Sequence, residues 1–213
     1  ELPCRLLGVH DGVVPDTQVS RLLGLAHRWN HERGCFEPVS DTTGRSSDPR
    51  VWIAGDAGGV EGEETAAARG ALAAVAIAVE LGRLAGPNAV MAPKPLALRR
   101  RRGQAARRFL DRLYAPTLGA AVPADDTIVC RCEAVTAGAI RAAIRAGAAG
   151  PNRVKAFTRC GMGPCQGRLC GLTLTRLVAA ETGRAPEAVG ALGVRPPLKP
   201  VLLGDLVAPE PAE

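Results

Sequence analysis

Aromatic side chains are scarce in this 213-residue chain: two Trp, one Tyr and three Phe make up 3% of it. A core must therefore be aliphatic and alanine-based. Single-stranded nucleic acid, which stacks its bases on aromatic platforms among basic residues, has no such platforms here. Long apolar runs are also missing. In the best stretch, Ala66 to Gly82, Arg69 and Glu80 leave ten uncharged residues between them, against the ~20 that a bilayer-spanning helix needs. That stretch is expected to be a buried, alanine-rich core helix, with no integral membrane segment. Leu2 to Val9 has no charged-then-apolar export pattern. No Gly-x-Gly-x-x-Gly occurs; the closest spacing, Gly161 and Gly163, fails at Gln166. No phosphate-cradling P-loop, Ser/His/Asp arrangement or internal repeat is present. The three histidines, His10, His27 and His31, show no ligand spacing with one another or with the cysteines. Each is expected to be an ordinary surface or loop residue.

What is present is enough for a folded chain. Hydrophobic residues make up 46% and charged residues 23%, the proportions of a globular protein. The length suits one large domain or two small ones. A net charge of +6 favours anionic partners or cofactors of several kinds, nucleic acid being only one of them.

Three compositional zones and a tail divide the chain. Residues 1–86 mix turn signals and apolar runs. There Thr17 to Leu25 places Val19, Leu22 and Leu23 at helical spacing before Gly24, and Asp41-Thr42-Thr43-Gly44 signals a turn. Val51-Trp52-Ile53-Ala54 reads as a strand buried on both faces, bounded by Gly55-Asp56-Ala57-Gly58-Gly59. After Glu63-Glu64-Thr65 a helix is expected to about Leu81, stopped by Gly82. Residues 87–124, with Pro87, Pro93, Pro95, Pro116, Pro123 and the run Arg99 to Arg102, read as a linker with a basic helix around Leu96 to Leu113. The arginine run is expected to be a solvated face. In residues 125–190, Thr136 should cap a helix over Ala137 to Ala146 that stops at Gly147. A second helix is expected from Cys165 to Thr182 before Gly183, and a short third from Pro186. This predicts a small all-α unit. Residues 191–213, rich in proline, are expected to run extended over the surface.

Seven cysteines are an odd number, and five fall between Cys130 and Cys170. A disulfide framework would spread them along a short secreted chain. A local patch favours a metal site in a reducing, cytoplasmic compartment. Cys4 and Cys35 stand apart and read as small buried apolar residues. The candidate ligands are Cys130-x-Cys132 and Cys160-x4-Cys165. Four thiolates can hold a [2Fe–2S] cluster or one zinc ion, or the segment is simply a thiol-rich loop. Cys-x-Cys is atypical of zinc pairs. Arg131, Arg159 and Arg168 beside the ligands suit a net anionic cluster, and Gly161, Gly163 and Gly167 expose N–H groups that can bond sulfur. On a helix starting at Cys165, Cys170 would lie about 140° round from it, so it is expected to be a packing residue. Gly55-Asp56 is a second candidate site. A glycine at a strand end lets a ligand approach the backbone, Asp56 can accept hydrogen bonds from sugar hydroxyls, and the next helix start is electropositive. The alternative is a tight turn with a solvated Asp.

Val51 to Asp56 and the small-residue helix after it resemble the second FAD-binding motif of flavoproteins with two dinucleotide-binding domains. Ser46 stands at that motif's Thr/Ser, and Gly12-Val13-Val14-Pro15-Asp16-Thr17 resembles the crossing back into the FAD domain. The resemblance implies that Gly55 and Asp56 meet FAD, Asp56 at its ribitol, and that Glu64 and Thr65 lie near the isoalloxazine. The pyrophosphate fingerprint is missing, so the chain is expected to be the C-terminal portion of such a protein, without its N-terminal FAD/NAD(P)-like region. Ile128 to Glu133 with Thr158 to Arg168 resembles the bacterioferritin-associated-ferredoxin-like [2Fe–2S] domain. It is most similar to that domain as fused to the FAD-binding subunit of heteromeric amino-acid and opine dehydrogenases, such as octopine and nopaline oxidase, hydroxyproline dehydrogenase and hydrogen cyanide synthase. This implies an α/β fold followed by a small all-α [2Fe–2S] domain. It also implies an electron-transfer role beside a substrate-oxidising flavoprotein subunit, no catalytic acid or base in this chain, and little activity in isolation. The competing expectation is a zinc-stabilised module using its basic surface for nucleic acid.

Overall fold

The computed structural model describes residues 3–6, 8, 12–115 and 123–207. His10, Pro116, Pro209 and Pro211 lie outside them. The chain divides into two compact units, one from residues 1–15 and 30–116, the other from 16–29 and 117–213. Among the described residues, no helix is long and apolar enough to cross a membrane.

In the first unit, β2 (Cys35–Pro38) follows β1 (His27–Asn30), at whose end the chain passes from one unit to the other. Asp41 builds the expected turn: its Oδ1 accepts from the N–H of Thr43 at 2.8 Å and of Arg45 at 2.9 Å. The strand expected at Val51–Ala54 does not form; Trp52 makes one isolated bridge, to Arg45. The run does find a neighbour, with the Ser46 N–H donating to Val51 O at 2.9 Å and the Ile53 N–H to Gly44 O at 2.7 Å, but the pairing is too short to extend into a ladder, and the run joins neither two-stranded sheet of the described residues. Gly55–Gly58 is a 3-10 turn, followed by α2 (Glu63–Glu80). That helix stops where glycine dictates, at Gly82 with φ +66°. Then come α3 (Gly86–Met91) and α4 (Pro93–Leu113).

The basic helix thus starts three residues earlier than expected, because Pro93 sits in a first turn where its missing N–H costs nothing. It packs along α2, so this segment belongs to the unit and is no free linker. Its inward anchor is Asp111, buried and bonded to Arg33 Nε at 2.9 Å and to Arg107 Nε at 2.6 Å.

The second unit begins with α1 (Gln18–Leu22), shorter than expected and oriented unexpectedly. Val19, Leu22 and Leu23 are exposed, while Gln18 and Ser20 are buried. Ser20 Oγ lies 2.8 Å from His27 Nε2, which explains the inward polar face. β3 (Ile128–Cys130) and β4 (Val135–Thr136) pair antiparallel, with an irregularity between Ile128 and Cys130. The unit is therefore not all-α. Thr136 caps α5 (Ala137–Arg145), its side chain accepting from the Ala139 N–H at 3.2 Å. α6 (Pro151–Thr158), α7 (Gly171–Thr182) and α8 (Pro186–Val189) follow. Ile140, Val154, Leu174, Leu177 and Val178 are fully buried and form one core with Cys130, Cys160 and Cys170. Leu192 joins that core at 8% exposure, so the proline-rich tail begins inside the unit. Cys35 is buried as expected, but Cys4 is exposed.

Candidate metal centre

The cysteine site is built on two coiled segments. The first is the β3–β4 turn. Cys130 ends β3 inside the core, and the turn carries Cys132 to the surface. The second is the loop from Arg159 to Cys170, which joins α6 to α7. Four of its residues have positive φ: Arg159 at 65°, Gly161 at 86°, Gln166 at 52° and Gly167 at 81°. The helix expected from Cys165 starts only at Gly171. A chain that repeatedly enters the left-handed region cannot be helical, so Cys165 and Cys170 are not separated by a helical turn and Cys170 lies in the loop before α7.

The glycines are dictated by close approach. A Cβ on Gly163 would stand 2.2 Å from Cys132 Cβ, and one on Gly161 or Gly167 would stand 2.5 Å from Leu192 Cδ2. The Gly161 N–H donates to Cys130 Sγ at 3.5 Å. Thr158 steadies the loop from below: its Oγ1 donates to Val154 O at 2.7 Å and accepts from the Cys160 N–H at 3.2 Å.

Five thiols converge. Cys130, Cys160 and Cys170 have their sulfurs within 4.8 Å of one another and are at most 1% exposed. Cys132 and Cys165 form a second group, hydrogen-bonded thiol to thiol. Burial raises the Cys165 thiol, but bonds from the Leu169 N–H, the Cys132 thiol and the Gly167 and Arg168 N–H groups outweigh it and lower its pKa. Cys132 is bonded by the Cys165 N–H, yet donating its proton to the Cys165 sulfur holds its pKa up. The Cys170 thiol is pushed far above its usual range by its bond to Cys160 and by burial. A donor set of thiols alone, with backbone N–H groups aimed at sulfur, is the chemistry that holds zinc or iron–sulfur centres. The arginines are less free than the sequence suggests. Arg159 Nε pairs with Glu133 at 2.8 Å, and Arg168 Nε with Asp16 at 3.3 Å.

The second candidate site lies in the other unit. Gly55, at φ +66°, turns the chain so that Asp56 is exposed, and Glu64 is exposed in the first turn of α2. Thr65 faces inward at 2% exposure; a Cβ on Gly103 would fall 1.9 Å from its Oγ1. Sequence reasoning missed Arg69. Buried at 5% exposure, it donates from Nη1 to Gly59 O at 3.1 Å and from Nη2 to Gly58 O at 3.0 Å. An arginine inside an alanine-rich helix was the available signal. His27 is a half-buried strand residue bonded to Ser20 and to Leu25 O, and His31 is exposed.

Residues 125–210 match the sarcosine oxidase A3 domain. The chain is 48% identical over 206 residues to an opine oxidase subunit of Rhizobium meliloti strain 1021, covering 95% of this chain and 44% of that protein. It is 40% identical to the corresponding opine oxidase subunit of Agrobacterium tumefaciens strain Ach5, over 96% of this chain and 41% of that one. Hydrogen cyanide synthase subunit HcnB of Pseudomonas protegens is 35% identical, over 94% of this chain and 42% of that one. The chain thus spans less than half the length of these relatives. Among solved structures, L-proline dehydrogenase from P. horikoshii shares the fold, with a TM-score of 0.68 at 24% identity over 92% of this chain and 38% of that one.

Proposed function

We propose that this chain forms part of the FAD- and iron–sulfur-containing electron-transfer subunit of a heteromeric dehydrogenase that oxidises an amino acid, imino acid or opine. The observation that carries the reading is the convergence of thiols on a glycine-rich loop whose N–H groups point at sulfur. The likeness to oxidase and synthase subunits supports the reaction class. Cys130, Cys132, Cys160 and Cys165 are the ligands assigned from the sequence pattern. A bound [2Fe–2S] cluster supplies one-electron transfer. The chain's own residues hold it, shield its buried side with Ile140, Leu174 and Leu192, and leave Cys132 at the surface.

In the flavin-facing turn, Gly55 sets the backbone and Asp56 offers its carboxylate to ribitol hydroxyls. Glu64 stands at the electropositive start of α2, and Thr65 seats that helix start on α4. No residue here serves as catalytic acid or base; the share of the protein is binding and orientation. Substrate oxidation falls to a partner subunit. Visible absorption, EPR spectra and metal analysis of the anaerobically purified chain test the reading. Two irons and two sulfides per chain are expected, and a colourless protein with one zinc overturns it.

A further inference from the structure

A four-thiolate centre needs four cysteines, and this basin holds five. Their arrangement is uneven. Cys132 and Cys165 make a hydrogen-bonded pair on the accessible side. Cys130, Cys160 and Cys170 make a buried trio within 4.8 Å. A two-iron cluster takes two terminal thiolates at each iron. The pair satisfies one iron, and the trio offers three thiols to the other.

The trio is itself divided. Cys130 comes from β3 and has its own N–H donor, that of Gly161 at 3.5 Å. Cys160 and Cys170 come from the two ends of the same loop and are equally inaccessible, at 0% and 1% exposure, and Cys170 bonds to both Cys160 and Cys130. Both sulfurs lie within 4.8 Å of that of Cys130, and burial does not separate them.

We propose that Cys160 and Cys170 are interchangeable ligands: either completes the set with Cys130, Cys132 and Cys165, and the other remains beside it as a free thiol. The inference rests on the iron–sulfur reading and deepens it. Exchange forms one iron–sulfur bond and breaks another. The incoming thiol gives up a proton, the outgoing thiolate takes one, and no electron is gained or lost.

The test compares the full chain with its Cys160→Ser, Cys170→Ser and doubly substituted forms, each loaded anaerobically with ferrous iron and sulfide. Iron and sulfide content and the EPR spectrum of the dithionite-reduced protein are the readouts. Each single variant should keep the full iron and sulfide content. The EPR spectrum should differ between the two variants, and the double variant should lose about tenfold or more of its bound iron. The same substitutions to Ala remove any effect of a buried hydroxyl and should give the same pattern. If one single variant loses its cluster as fully as the double while the other keeps the wild-type spectrum, the ligand is fixed and the proposal fails. If the unsubstituted chain takes up zinc or no iron, the iron–sulfur reading fails first, and the exchange with it.

Discussion

The two units bury different kinds of side chain. Among the described residues, every large side chain with under 2% exposure belongs to the cysteine-bearing unit: Ile140, Val154, Leu174, Thr175, Leu177, Val178 and the three thiols of the trio. Every buried charge among those residues, Glu37, Arg69 and Asp111, belongs to the other. There Arg33 bridges Glu37 at 3.0 Å and Asp111 at 2.8 Å, and Arg69 holds two backbone carbonyls. One unit buries large apolar side chains around its thiols, while the other adds to a smaller apolar set, Ile53, Val60 and Leu72 among it, directed bonds that each need a specific partner. Surface changes should therefore be absorbed in the first, while single polar deletions should be felt in the second.

The largest effect that would sharpen this contrast is loss of the proposed metal site. Cys132→Ser or Cys165→Ser removes half of the pair that has no spare thiol. Bound iron should fall about tenfold or more, and because site occupancy is folding energy, residues 125–190 should lose hydrogen-exchange protection. Protection in α2 and α4 should persist. Equal loss in both units would break the contrast.

Core truncation comes next. Leu177→Ala should cost about 2–5 kcal/mol in urea denaturation. Leu110→Ala, at 43% exposure on α4, should cost no more than about 0.5 kcal/mol. A directed bond is probed by Asp111→Ala, which strands Arg33 and Arg107 and should cost about 3 kcal/mol. Asp125→Ala removes a partner of Arg141 that is 71% exposed, and should cost less than about 1 kcal/mol. Similar losses for the two Asp substitutions would show that the Asp111 network is not the anchor described.

A smaller effect concerns the Gly55–Gly59 turn. A Cβ on Gly58 would stand 2.0 Å from Arg69 Nη2. Gly58→Ala and Arg69→Met should each destabilise by about 1–3 kcal/mol. Because they act through one contact, the double variant should cost clearly less than their sum. Strict additivity would mean that Arg69 does not shape the Gly58-Gly59 turn.

The smallest effect is a pH dependence. Burial and then the Arg21 charge lower the pKa of His27 below its ordinary 6.5, against the opposing bond to Leu25 O. The unfolded chain then binds the proton more readily than the folded one. His27 has no adverse effect above pH 6.5, and stability falls as the pH drops from there through the depressed folded value. His27→Gln should flatten that acid-side slope in thermal melts, and an unchanged slope would assign it to other groups.

Much of the fold could be read from local pattern. The Thr136 cap, the glycine stops after α2, α5 and α7, Pro186 at a helix start and the Asp41 turn all act within a turn of chain, so composition alone reveals them. Readings that assumed a neighbour fared worse. Val51–Ala54 had the residues of a buried strand but found no parallel partner, and Val19, Leu22 and Leu23 had helical spacing yet face outward because Ser20 is drawn in by His27. The clustering of the cysteines was legible in the sequence, but the burial of Cys170 beside Cys130 and Cys160 was not.

By itself the sequence determined which residue types the site contains, where most helices stop, and that the core would be aliphatic, because propensity, capping and composition are properties of short segments. Only the tertiary structure decided which thiols meet, that Leu192 closes over Gly161 and Gly167, and that Arg69 and Asp111 are buried. Those outcomes depend on loop paths through positive φ and on packing between segments far apart in the chain. No local pattern encodes that distance.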